Sequence, residues 1–142
     1  MNLTVKSNDS KFNLLIEKYE KLDIMKVAGI IEDKIKENYD KSQNFDNSKM
    51  TKLKPATIKH KRELGASNPS KPLLLTHQLK QATTKRKITE REAHIFIRDN
   101  SRGGGVTNSE ILDYQKKYGR KPFGLTNALA EVKKYIESIL GN

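Results

Sequence analysis

The stretch Glu92-Ala93-His94-Ile95-Phe96-Ile97-Arg98 alternates apolar Ala93, Ile95 and Ile97 with polar Glu92, His94 and Arg98. Successive side chains of a strand point to opposite faces, so this pattern predicts a strand with one buried face. Phe96 falls on the polar side and is expected to cover that face or an interface. The preceding run, Lys85 to Arg91, reads as its antiparallel partner. A half-buried hairpin of this kind needs an apolar helical layer against it, and the chain offers helical patterns on both sides.

Upstream, Leu3 to Lys6 reads as a short strand. Asn8-Asp9-Ser10 then supplies N-cap chemistry, and Phe12, Leu15, Ile16, Tyr19 and Leu22 recur at helical spacing, which predicts a first helix from about Lys11. A second helix follows Asp23, with Ile24, Val27, Ala28, Ile31 and Ile35 on one face. In the middle of the chain, Pro55 opens a helix that continues to Leu64 and ends at Gly65, and Thr76 caps a short helix from His77 to about Thr83. Downstream, Asn100-Ser101-Arg102-Gly103-Gly104-Gly105 is a breaker. Thr107 with Glu110 forms a capping box that starts a helix to about Lys117. Leu125, Leu129, Val132, Ile136 and Ile139 predict a C-terminal helix. The expected fold class is α+β: N-terminal helices and a C-terminal helix packed on a small, mainly antiparallel β-sheet. One domain over residues 1–142 is expected, with flexible loops at 40–52, 65–71 and 99–107.

Apolar residues make up 35% of the chain and charged residues 32%, so surface is large relative to core, as in a small or oligomer-forming protein. Cysteine is absent, which excludes a disulfide framework, a thiol nucleophile and cysteine-ligated zinc. No run approaches the roughly 18 apolar residues of a membrane span, and the first residues lack the apolar core of a secretory signal. A soluble, intracellular protein is the expectation. His60, His77 and His94 are spaced 17 residues apart, which is not a zinc-ligand pattern, so no metal is expected. His60 is assigned to the polar side of its helix and His94 to solvent. Carboxylate pairs such as Glu32-Asp33 lack a nucleophile, base or cofactor motif beside them. Gly103-Gly104-Gly105 is not followed by the Lys and Ser or Thr that complete a phosphate loop. No enzyme activity, cofactor or small-molecule substrate is expected.

The net charge of +11 is concentrated. Lys49 to Arg91 holds 12 basic and 2 acidic side chains, whereas Met1 to Ser48 holds 8 and 9. Such asymmetry favours a negatively charged partner; a solvated lysine-rich surface accounts for it equally well. A small basic nucleic-acid-binding protein is therefore an alternative, with Lys59, Lys61, Arg62, Lys80, Lys85, Arg86, Lys87 and Arg91 as phosphate contacts. Against it, Lys49 to Arg91 contains no Phe, Tyr or Trp on which bases could stack, and no helix-turn-helix or zinc module is visible.

Three blocks carry a resemblance. Leu53-Lys54-Pro55-Ala56-Thr57-Ile58, then Lys71-Pro72-Leu73-Leu74-Leu75-Thr76-His77-Gln78-Leu79, resembles the pattern W-x-P-L-S-P-x-T-I followed by K-P-L-L-x-T-G-x-L. That pattern belongs to the phage virion morphogenesis, or tail completion, proteins of Mu-like and related contractile-tailed phages. Lys121-Pro122-Phe123-Gly124-Leu125 resembles the family's later R-P-F-L-G turn, which precedes a C-terminal helix. Met50 stands where tryptophan is common in the family, and His77 where glycine follows the threonine. The resemblance implies a noncatalytic tail completion or tail terminator protein. It would form a ring, often a hexamer, at the head–tail junction and contact the tail tube and neck or head-completion proteins. DNA would pass close by, and no membrane would be involved. The protein would lie in the host cytoplasm during assembly and then in the virion. Within the blocks, Pro55, Pro72 and Pro122 are expected to fix turns, with Thr57 and Thr76 beside them. Leu53, Leu75, Leu79 and Phe123 are expected to anchor on the core. Lys54, Lys59, Arg62, Lys80, Arg86, Lys87, Arg120 and Lys121 are the candidate intersubunit or partner contacts.

Overall fold

The computed structural model describes residues 3–8, 11–16, 22–66, 69–70, 78–99 and 107–140. Among them lies a four-stranded antiparallel sheet of order β1-β2-β4-β3, formed by β1 (Leu3–Asn8), β2 (Lys11–Ile16), β3 (Thr83–Thr89) and β4 (Glu92–Ile97). The central hairpin is the expected one, with β3 starting two residues earlier than its sequence reading and Glu90-Arg91 making the turn. Ala93, Ile95 and Ile97 are buried, and a register irregularity at Ile88 lets Lys87 and Thr89 pair in succession with Ala93 and Glu92.

The first N-terminal helix is corrected. Residues from Lys11 form β2, which pairs with β1 on one side and with β4 on the other. Phe12 and Leu14 are buried at 4% and 0% exposure while Leu15 is 39% exposed, a two-residue period that a helix does not produce. Phe12, Leu15 and Ile16 fit a helical stripe, yet Phe12, Leu14 and Ile16 fit a strand equally well. The register places Leu14 between Val5 and Ala93, and the strand reading wins because β4 needs a partner on that edge. Tyr19 and the rest of 17–21 lie outside the described residues.

The second helix, α1 (Ile24–Lys41), is present as read from the sequence. Asp23 caps it, its carboxylate accepting the Met25 N–H at 2.9 Å, and Ser42 ends it in a left-handed conformation. Ile24, Val27, Ala28, Ile31 and Ile35 are all at most 1% exposed and lie against the sheet. A C-terminal helix, α5 (Leu129–Leu140), preceded by a 3-10 turn at Thr126–Ala128, lies against α1 and contributes Val132 to the core. The Asp23 N–H donates to the Tyr135 hydroxyl at 3.2 Å, joining the start of α1 to α5. Leu129, read as part of the apolar stripe, is instead 51% exposed, and Ala128 takes the buried place.

Two further helices continue from the hairpin region. α3 (Gln78–Ala82) runs directly into β3, and Leu79 is buried as expected. α4 (Asn108–Lys116) opens with the predicted capping box: the Thr107 hydroxyl accepts from the Glu110 N–H, and the Glu110 carboxylate accepts from the Thr107 N–H. Fully buried Asn108 donates to the Arg98 carbonyl at 2.7 Å, which fastens this helix to the end of β4. α2 (Pro55–Glu63) has proline in its first turn, as read, and buries a single residue, Lys61. No helix among the described residues is long and apolar enough to cross a membrane.

The strand assignment of β2 separates two neighbours. Leu14→Ala should lower stability by about 2–5 kcal/mol, the usual loss for a truncated core leucine, whereas Leu15→Ala should cost well under half of that. Urea unfolding of the two variants checks it; a larger loss in Leu15→Ala than in Leu14→Ala would restore the helical reading.

Candidate functional site

Asn38 falls three residues after Ile35 on the apolar face of α1 and is fully buried. A buried amide must find partners or lose the hydration it gives up. Its Nδ2 donates to the Pro122 carbonyl at 2.8 Å, and its Oδ1 accepts from Gln43 Nε2 at 3.0 Å and Asn127 Nδ2 at 2.8 Å. Asn44, also buried, repeats the device: its Oδ1 accepts the Lys121 N–H at 2.7 Å, and its Nδ2 donates to the Gly119 carbonyl at 3.2 Å. Backbone bonds from Phe45 N to Lys121 O and from Asn127 N to Phe45 O complete the seam. The composition of 40–52 reads as a free loop. In the structure α1 extends through Lys41, Gln43 bridges Lys49, Met50 is buried, and the segment is hydrogen-bonded to residues 119–127.

This seam builds a cleft of about 410 Å³ between α4, the Phe45 loop and the turn at 120–126. That volume lies in the range of ligand and anchor pockets. Its apolar wall is Phe12 stacked on Phe123, with centroids 5.0 Å apart and planes within 4°, together with Leu112 and Phe45. Lys116, Lys121 and Asp113, all exposed, also line the cleft. Gly124 makes the wall possible: a Cβ there would lie 2.0 Å from Phe45 Cγ, inside any van der Waals contact. Gly119 enters the turn with φ of +75°, and a Cβ on it would come within 2.6 Å of Thr51 Oγ1.

Arg120 links this cleft to α2. Its Nε and Nη2 donate to the carbonyls of Thr51 and Lys52 at 3.0 and 3.3 Å, and Nη1 donates to Gln115 Oε1 at 2.7 Å. Lys61 of α2 is 7% exposed, and burial first, then the nearby Arg120 charge, lower its pKa from the ordinary lysine value. The clamp that fixes the approach to α2 is thus near enough for its charge to act on the buried lysine of that helix.

The sequence candidates divide. Lys54, Lys59, Arg62, Arg86 and Lys121 carry exposed side chains. The Arg86 guanidinium lies 5.7 Å from the Phe96 centroid on the sheet face turned away from α1. Lys80 pairs with Asp40 at 2.9 Å and Lys87 with Glu90, while Arg120 is a clamp within the chain. Pro122 and Phe123 are buried in the cleft wall, and Leu53 is half-buried at the approach to α2, where Pro55 and Thr57 are exposed. Pro72, Leu75, Thr76 and His77 lie outside the described residues. His60 is exposed, as read. His94 is corrected: its side chain is 13% exposed, Nε2 lies 2.9 Å from Glu92 Oε1, and Nδ1 is buried with no hydrogen-bond partner among the described residues. In the register His94 is flanked by Asn13 of β2 and Arg86 of β3. Sequence reasoning passed over Phe45, Asn44 and Asn127, whose partners lie some 75 or more residues away. Asn38 left one signal, an amide on an apolar helical stripe.

No family model, curated protein or solved structure matches this chain.

Two outcomes test the seam. Gly124→Ala should displace the Phe45 ring and cost about 1–3 kcal/mol through overpacking, read as a lower midpoint in urea together with a shifted Phe45 aromatic resonance. Hydrogen bonds from the Ser48 hydroxyl and then from the Ser48 N–H hold the Asp46 carboxyl below its ordinary pKa. A lowered carboxylate pKa contributes stability above the usual aspartate range and loses it as pH falls through the folded value. Acid titration followed at the Ser48 amide resonance should therefore show a midpoint below 3.8, and Asp46→Asn should abolish the transition.

Proposed function

We propose that this chain is a noncatalytic assembly protein of a phage or prophage tail: a tail completion or tail terminator subunit that forms a ring at the head–tail junction and joins tail to head. The observation that carries this reading is the meeting of two of the resembling blocks. Arg120, next to Pro122-Phe123-Gly124-Leu125, holds the carbonyls of Thr51 and Lys52, immediately before Leu53-Lys54-Pro55. Segments that bear the resemblance nearly 70 residues apart thus form one structural unit. An assembly function needs shaped, fixed surfaces rather than reacting groups, and this unit supplies an apolar cleft with a basic rim and a projecting basic helix.

In this reading, α2 and the cleft rim meet acidic surfaces of a neighbouring subunit, the tail tube or a neck protein. The protein assembles in the host cytoplasm and ends in the virion. Purified protein mixed with tail tubes of the encoding phage or prophage should form a ring at the tube end, seen by negative-stain microscopy and as a defined multiple of the 16.2 kDa chain by native mass spectrometry. A chain that stays monomeric and ignores the tubes would falsify the proposal.

A further inference from the structure

Two of the chain's 5 tyrosines are uncovered at the end of α4: Tyr114 is 54% exposed and Tyr118 is 49% exposed. Four residues apart, they share one face; their centroids are 5.2 Å apart with planes at 56°, and their hydroxyls lie within 3.1 Å. The Arg120 guanidinium sits 5.9 Å from the Tyr118 centroid, held in place by Gln115 and by the carbonyls of Thr51 and Lys52. Around this group, Lys52 and Lys117 are exposed, and Lys61 is close enough for Arg120 to perturb it. The acids of α4, Glu110 and Asp113, come before the tyrosine pair; Lys116 and Lys117 lie between its members and Arg120 follows it. Like charges gathered on one face raise the local potential, and an anionic ligand would relieve it.

We propose that Tyr114, Tyr118 and Arg120, with the exposed Lys52 and Lys117, form a binding face for single-stranded nucleic acid. The cations take phosphates, and the exposed ring faces stack a base. The Lys49 to Arg91 segment has the charge for such binding and no aromatic residue; folding brings tyrosines from α4 and the turn after it to its edge. Base stacking on an aromatic side chain contributes about 1–3 kcal/mol and tolerates any sequence. Tyrosine and arginine also anchor protein interfaces, but a protein partner gains most by filling an apolar depression. That depression takes Leu112, Asp113 and Lys116 from α4 and Arg120 from the turn, and neither Tyr114 nor Tyr118 lines it. Binding at this face is independent of whether the chain is a tail protein.

The test uses the full chain and a fluorescein-labelled oligothymidylate of about 15 nucleotides, a length that one small domain can engage. Because the chain has no tryptophan, its intrinsic emission comes from tyrosine and reports stacking directly. Binding should quench that emission and should weaken about twentyfold between roughly 50 and 200 mM salt, as expected for about three phosphate contacts on a single strand. Tyr114→Ala with Tyr118→Ala should weaken binding by about tenfold or more while leaving the salt slope intact. Lys52→Glu with Lys117→Glu should flatten the slope. Tyr118→Phe keeps the ring and should bind as the parent does, which separates loss of stacking from loss of fold. The proposal is overturned by any of these results: no binding at the lower salt, full affinity in the double tyrosine variant, or equal binding of a duplex without quenching. Competition by polyglutamate as strong as that of unlabelled oligothymidylate would also overturn it, in favour of an acidic protein partner.

Discussion

A single buried amide, that of Asn38, holds together parts of the chain that no strand or helix joins. Its two polar atoms bind the Pro122 carbonyl, Gln43 and Asn127, so the loop after α1 and the turn before α5 are fixed against the same helix position. Because Asn38 is fully buried, each of these bonds has no ready substitute, and removing one partner strands the others at about 1–3 kcal/mol apiece. The shape of the cleft follows. Phe45 reaches Gly124 because Asn44 and the backbone on either side of Phe45 are tied to 119–127, and Phe123 reaches Phe12 because Pro122 is tied to α1.

Much of the fold was legible because local patterns and tertiary demands agree. Alternation at Glu92 to Ile97, the Thr107 and Glu110 capping box, Asp23 before an apolar stripe and Pro55 at a first turn each name an element that is present. The α+β class rests on these elements. β2 was misread because its apolar residues satisfy both periods, and only the partner strands choose between them. The same ambiguity does not touch α1, whose buried stripe runs from Ile24 to Tyr39 at helical spacing, longer than an ordinary strand.

The site was legible in half. Pro122-Phe123-Gly124 could be picked out as a motif, and it forms one wall of the cleft. The other wall could not be found, since 42–50 is rich in Asn, Ser, Gln and Asp, the composition of a solvated loop. Those residues are polar for a different reason: their amides replace water around distant backbone groups. Composition records polarity and is silent about the partner, and the partners here are separated by most of the chain.

Charge shows the same division between number and placement. Of the basic side chains in the central segment, Lys80 and Lys85 are paired with Asp40 and Glu32 of α1, and Lys87 with Glu90 across a turn, so part of the excess is neutralised inside the fold. Lys54, Lys59 and Arg62 remain exposed on α2, a helix that buries only Lys61. Long-range attraction depends on such unneutralised charge rather than on the total. The approach to α2 is held by Arg120 at Thr51 and Lys52, and Arg120 belongs to the turn that also carries Phe123. The two surfaces share one arginine, so the approach to the basic helix and the edge of the cleft are positioned by the same side chain.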